Sequence, residues 1–146
     1  MTVEVAATVA ALRGLSDRLD GAARDAVEDV ARAVVASSMR FAPVKTGTLL
    51  RSIDVQGPFP AGPHTWVARV GPTVIYGRIA ELGGPIPGPD NKTAKILRWW
   101  AADGTPIFAR HVDHPAHPYM KPGLEAVRPT IDRIVAARVA AVLGGA

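Results

Sequence analysis

The sequence predicts an α+β fold: a long N-terminal helix, a small, mostly antiparallel sheet of four or five strands, and a C-terminal helix. Three observations predict it. Apolar side chains recur with helical spacing from Val5 to Val34, and again from Leu124 to Val142. Between those stretches lie short β-branched and aromatic runs separated by clusters of Pro and Gly. At 146 residues the chain reads as one domain with one core, divided into a helix over 1–41, strands and long loops over 42–118, and a helix over 119–146.

The first helix rests on the stripe Val5, Val9, Leu12, Leu19, Ala23, Val27, Val30 and Val34, interrupted at Ser16. Charged side chains such as Arg13, Arg18, Asp25, Glu28 and Arg32 occupy its other faces. Gly14 and Gly21 each weaken a helix by about 1 kcal/mol relative to alanine, so a break or bend is expected near one of them. Pro43 sets the end near Phe41, because it disfavours helical geometry at Ala42. So long a stripe exceeds what a small domain buries alone, which points to packing against another subunit.

A turn on Pro43 and Gly47 follows, then a first strand through Leu49, Arg51, Ile53 and Val55. Residues 57–63 are too rich in Pro and Gly to be expected in regular structure. Thr65–Val70 reads as a second strand, stopped by Gly71-Pro72. Val74–Leu82 fits either a strand or a helical turn. Gly83–Asn91, with Pro and Gly on both sides of Ile86, reads as a long exposed loop suited to a partner. Asp103-Gly104 between Ile96–Trp100 and Thr105–Val112 is a hairpin signal. In the tail, Pro129 should kink or restart the helix, and Gly144-Gly145 should end it.

Composition narrows the function classes. Apolar residues make up 48% and aromatics 5%, so the core is expected from Val, Leu, Ile and Ala. There is no cysteine, which removes disulfides and thiolate chemistry. No apolar run is long enough to span a bilayer, and Met1–Val5 lacks the basic start of a secretion signal. The chain is therefore expected to work inside a cell, or in an assembly built there, without a membrane. Net charge is +4, from seventeen basic and thirteen acidic side chains, interspersed rather than blocked. A dedicated nucleic-acid binder concentrates that charge on one face.

The sequence offers little for catalysis, and no cofactor is expected. There is no glycine-rich phosphate cradle and no nucleophile elbow; Lys45-Thr46-Gly47 is only a fragment of the former. His111, His114 and His117, with Asp113 among them, have spacing that could supply metal ligands. That spacing shares one face only in a helix, and Pro115 and Pro118 forbid a helix there. The competing reading is a stiff extended connector that delivers Tyr119 and Met120 to the core, with Pro122 in the first turn of the last helix. Glu81, the only carboxylate in the apolar middle, reads as a base with a raised pKa, as the partner of Arg78 or Arg51, or as a residue pointing into a subunit interface. In an alternating strand, one of Trp99 and Trp100 should face the core and the other outward, as an interface anchor.

Three segments carry a resemblance. Ala42-Pro-Val-Lys-Thr-Gly-Thr-Leu-Leu-Arg-Ser-Ile53 resembles an Ala-Pro-x-x-Thr-Gly-x-Leu-x-x-Ser-Ile signature, through Pro43, Thr46, Gly47, Leu49 and Ser52. Tyr76 to Gly84 is similar to a Tyr-Ala-x-x-x-Glu-x-Gly segment, through Tyr76, Glu81 and Gly83. His117-Pro-Tyr-Met-Lys-Pro-Gly-Leu124 is similar to a Pro-x-His-Pro-Phe/Tyr-Leu/Met-x-Pro-Ala-Leu segment, through His117, Pro118, Tyr119 and Pro122. In that order they resemble the lambdoid "gene product ten"-like family of neck, or tail-completion, proteins of long-tailed bacteriophages. Alanine is usual in that family at the positions of Gly77 and Gly123, and these read as small-for-small changes.

The resemblance implies a non-enzymatic virion protein, assembled in the host cytoplasm. It would form a ring, commonly sixfold, between the head's portal connector or stopper and the tail terminator or tail tube. DNA would pass through the lumen without sequence-specific binding. A tail terminator or a head-completion stopper is the nearest alternative role. A histidine-rich metal-binding protein or small metal-dependent enzyme is the alternative of a different class, and a basic nucleic-acid binder is a third.

Overall fold

The computed structural model describes residues 2–87, 97–109 and 111–144. Its class is the expected one: a long helix, small antiparallel sheets and a C-terminal helix. Helix α1 runs from Thr2 to Phe41 and is continuous, so the break expected at Gly14 or Gly21 does not occur. Neither glycine has another group near its Cβ position. Both sit on exposed turns, where a glycine costs propensity but leaves the hydrogen-bond ladder intact.

The segment after Gly47 is helical rather than extended. Helix α2 covers Thr48–Ser52, and strand β1 covers Ile53–Gly62. Gly47, in the left-handed region at φ 72°, reverses the chain so that Leu49 and Ile53 both enter the core; Ser52 Oγ donates to the Leu49 carbonyl. The expectation of irregular structure over 57–63 is corrected as well. Strand β1 runs through it, antiparallel to β2 (Thr65–Pro72), with register shifts at Gln56/Phe59 and Pro60/Gly62. Bulges of this kind let an edge strand tolerate proline and glycine.

The ambiguous 74–82 stretch resolves into helix α3, Gly77–Leu82. Part of the expected loop is ordered: β3 (Gly84–Pro87) pairs antiparallel with β6 (His111–His114). The rest of that loop, the start of the expected strand at Ile96, Arg110 and the side chain of His111 lie outside what the structure describes. Strands β4 (Leu97–Trp100) and β5 (Pro106–Ala109) form the hairpin that Asp103-Gly104 signals. Among the described residues the strands thus pair two by two, not in a single sheet.

Helix α4 covers Met120–Val127, a 3-10 turn covers Arg128–Thr130, and α5 covers Ile131–Gly144. The restart falls at Pro129, as its missing N–H requires. Ala42, Leu49, Ile53, Ala80 and Tyr119 form one buried cluster, with Val35, Met39, Val70, Val74 and Met120 packed on it. No helix among the described residues is long and apolar enough to cross a membrane.

Candidate functional site

The three segments that carry the resemblance meet in space. Ala42, Leu49 and Ile53 come from the first, Ala80 from the second and Tyr119 from the third, and together they are the buried cluster. Tyr119 is fully buried, a burial worth about 2–3 kcal/mol for a large side chain. Its hydroxyl donates to the Gly77 carbonyl at 3.1 Å. Burial, reinforced by the charge of Glu81, pushes that hydroxyl's pKa up to about 12.

Glu81 is the polar centre of the cluster, and its carboxylate is held by backbone N–H groups rather than by Arg78 or Arg51. Its Oε2 accepts the backbone N–H groups of Tyr119 at 2.6 Å and Met120 at 2.9 Å, and its Oε1 accepts that of Lys121 at 3.1 Å. Helix α4 starts with no capping side chain of its own and no acid in its first turn. The carboxylate of α3 supplies both, satisfying orphan donors and meeting the positive end of the helix. Burial pulls the Glu81 pKa upward, but the three N–H donors outweigh it, and the group is held below the ordinary carboxylate value. That is opposite to the shift a general base near neutrality needs.

At Gly77 and Gly123, expected to be small-for-small changes from alanine, the structure leaves no room for a Cβ. A Cβ on Gly123 would lie 2.7 Å from Ser38 Cα and 2.8 Å from its nitrogen, where α4 crosses α1. A Cβ on Gly77 would collide with the Pro72 ring. Gly83, at φ 69°, faces the Ala116 nitrogen and the His114 carbonyl, so the turn before β3 can accept only a residue without a side chain.

A cleft of about 760 Å³ opens beside this cluster. Its floor is α1, through Ala23, Val27 and Val30; β2 forms one wall, and α4 with α5 the other, through Leu124, Ile131 and Val135. Ala22 and Ala26 on one flank of the α1 stripe, and Ala31 and Ser38 on the other, are buried. Of the stripe expected to face the core, Val34 is buried, whereas Ala23, Val27 and Val30 are half-buried and floor an open groove. Leu124 is 50% exposed at its edge. Arg138 of α5 ties that wall to α1, donating to Asp29 at 2.7 Å with Asp25 at 3.9 Å, and so holds the Asp29 carboxyl below its ordinary pKa.

The remaining candidates lie apart from the cleft. Trp99 and Trp100 are both exposed, at 38% and 60%; neither reaches the core, because among the described residues their hairpin pairs only with itself. Arg98 lies 4.7 Å from the Trp100 ring centre and 5.7 Å from that of Phe108, a cation stacked between two rings. His114 and His117 stand edge to face, 5.6 Å between ring centres. Among the described residues no three metal-ligating side chains gather. Pro43, Thr46, Gly47 and Leu49 line a second pocket with Tyr76 and those two histidines. Pro118 links His117 to Tyr119 without regular structure, and Pro122 lies in the first turn of α4.

No family model, curated protein or solved structure matches the chain.

Proposed function

We propose that this protein is a structural component of a long-tailed bacteriophage virion. It acts as a subunit of a ring in the neck, between the portal connector and the tail. The observation that carries the reading is the open apolar cleft between α1, β2 and α4–α5. A monomer gains nothing by leaving such a surface wet, whereas a ring closes it by placing a different face of the next copy against it. The exposed beginning of α1, with Val9 and Leu12 uncovered, and the aromatic hairpin at Trp99-Trp100 supply projecting surfaces of the complementary kind.

The motif cluster supports the same reading. Its residues are used for rigidity: a buried tyrosine, a remote helix cap and glycines at close crossings. Six copies are the number the resemblance implies, with the connector or stopper on one side and the terminator or tail tube on the other. The lone chain is expected to be monomeric or weakly associated, and the ring to form on its partners. Imaging of native virion necks tests this. A ring of this chain between portal and tail supports it, and absence of the chain from the neck, or its presence there as a single copy, overturns it.

A further inference from the structure

We infer that the pocket between the Lys45–Thr48 turn and the His114–His117 segment is a binding site for a phosphate group, free or as the terminal monoester of a small molecule. The pocket measures about 400 Å³ and is lined by Lys45, Thr46, Gly47, Tyr76, His114 and His117 over an apolar base that includes Leu49 and Ala80. Among the described residues its polar lining is rich in donors and includes no carboxylate. The nearby acid, Glu81, is committed to the backbone of α4.

The donors are also available. Among the described residues, the Lys45 ammonium, the Tyr76 hydroxyl and the His117 ring have no hydrogen-bonding or ionic partner. The Thr46 and Thr48 hydroxyls, 3.0 Å apart, share one proton between them and leave the other to donate outward. His117 carries an N–H in either neutral tautomer, so the site needs no protonated imidazole to offer donors. His114 is fixed by its own contact: Nδ1 lies 2.7 Å from the Pro115 carbonyl, which can only accept, so the proton sits on Nδ1. A second positive charge lies alongside, because the Arg51 guanidinium donates to the Thr46 carbonyl at 3.3 Å and covers Gly47.

The arrangement favours phosphate over carboxylate. The Thr46 and Tyr76 hydroxyls, the Lys45 ammonium and the His117 ring N–H belong to side chains that line one pocket from three separate segments of chain, rather than to the planar fork that matches a carboxylate. A tetrahedral anion, with oxygens pointing in several directions, can satisfy them together. At about 400 Å³ the pocket has room for a phosphate and a small organic body, which its apolar base suits. This inference is independent of ring assembly, since the site lies within one subunit.

Amide and histidine side-chain NMR of the lone full chain tests it, with inorganic phosphate, thymidine 5′-monophosphate and acetate added at matched ionic strength in chloride. Saturable shifts at Thr46–Thr48, His114 and His117 below about 10 mM phosphate are expected. Lys45→Ala and Thr46→Val, both at exposed positions, should each weaken binding about tenfold while leaving the rest of the spectrum in place. Arg13→Ala, on the exposed start of α1, should change nothing. Saturation by phosphate alone identifies the free ion as ligand, and saturation by both identifies a monoester site. Acetate binding as tightly as phosphate, shifts that never saturate, or affinity untouched by Lys45→Ala would overturn the assignment.

Discussion

Glu81 shows how one side chain can tie three segments together. It sits at the end of α3, grips the start of α4, and thereby closes the buried cluster over Tyr119. Glu81→Ala is expected to lower stability by about 1–2 kcal/mol, at the scale of a lost cap rather than of a buried charge, because the carboxylate is part-exposed. Glu81→Gln should fall between, keeping one acceptor without the charge. The folded-state pKa lies below the ordinary value of 4.5, so the stabilisation is full above that value and is lost as pH falls through the depressed one. Acid unfolding followed by circular dichroism should therefore have a shallower slope in Glu81→Gln. At the same scale, Tyr119→Phe leaves the Gly77 carbonyl without its donor, and chemical denaturation should show a loss of about 1–2 kcal/mol. Gly123→Ala forces α4 away from Ser38 and should cost about 1–3 kcal/mol by the same measurement, although it raises helix propensity.

At the scale of elements, α5 and the β4–β5 hairpin are held without a fully buried side chain. Helix α5 has no fully buried residue, and its polar tie to α1 is Arg138. Arg138→Ala should leave the global unfolding midpoint nearly unchanged while increasing amide hydrogen exchange along Ile131–Gly144, more so at low salt, where the ion pair is strongest. Unchanged exchange along α5 would show that its half-buried apolar side chains hold it unaided. Two-stranded hairpins are marginal in water. The stacking of Arg98 on Trp100 and Phe108 supplies part of what this one lacks, and cover from a neighbour would supply the rest.

At the scale of the whole molecule, the cleft separates folding from assembly. Leu124 is half exposed and stands outside the buried cluster, so Leu124→Glu should leave the monomer folded. It should prevent the subunit's incorporation into the neck, read by imaging of particles and by the yield of tailed virions. Normal necks carrying that variant would show that the cleft is not the ring contact. Much of the architecture was legible: the first helix and its end at Pro43, the 103–104 hairpin, and the restart at Pro129 all follow from local chemistry. The α2 turn, the extension of β1 through 57–62 and the β3–β6 pair were not legible. Each depends on a partner distant in sequence: the core that receives Leu49, the β2 strand that tolerates bulges, and the 111–114 segment that pairs with a Pro/Gly stretch.

By itself the sequence determined what short-range sterics and periodicity can determine: which stretches wind, where proline and glycine stop them, and that α1 carries more apolar surface than one small domain uses. Only the tertiary structure decided which part of that surface stays open, since the burial of Ala22, Ala26 and Ala31 depends on where β2, α4 and α5 come to rest. It alone decided the role of Glu81 as well. A carboxylate's partners are set by distance in space, and the three N–H groups it holds lie 38 to 40 residues away along the chain.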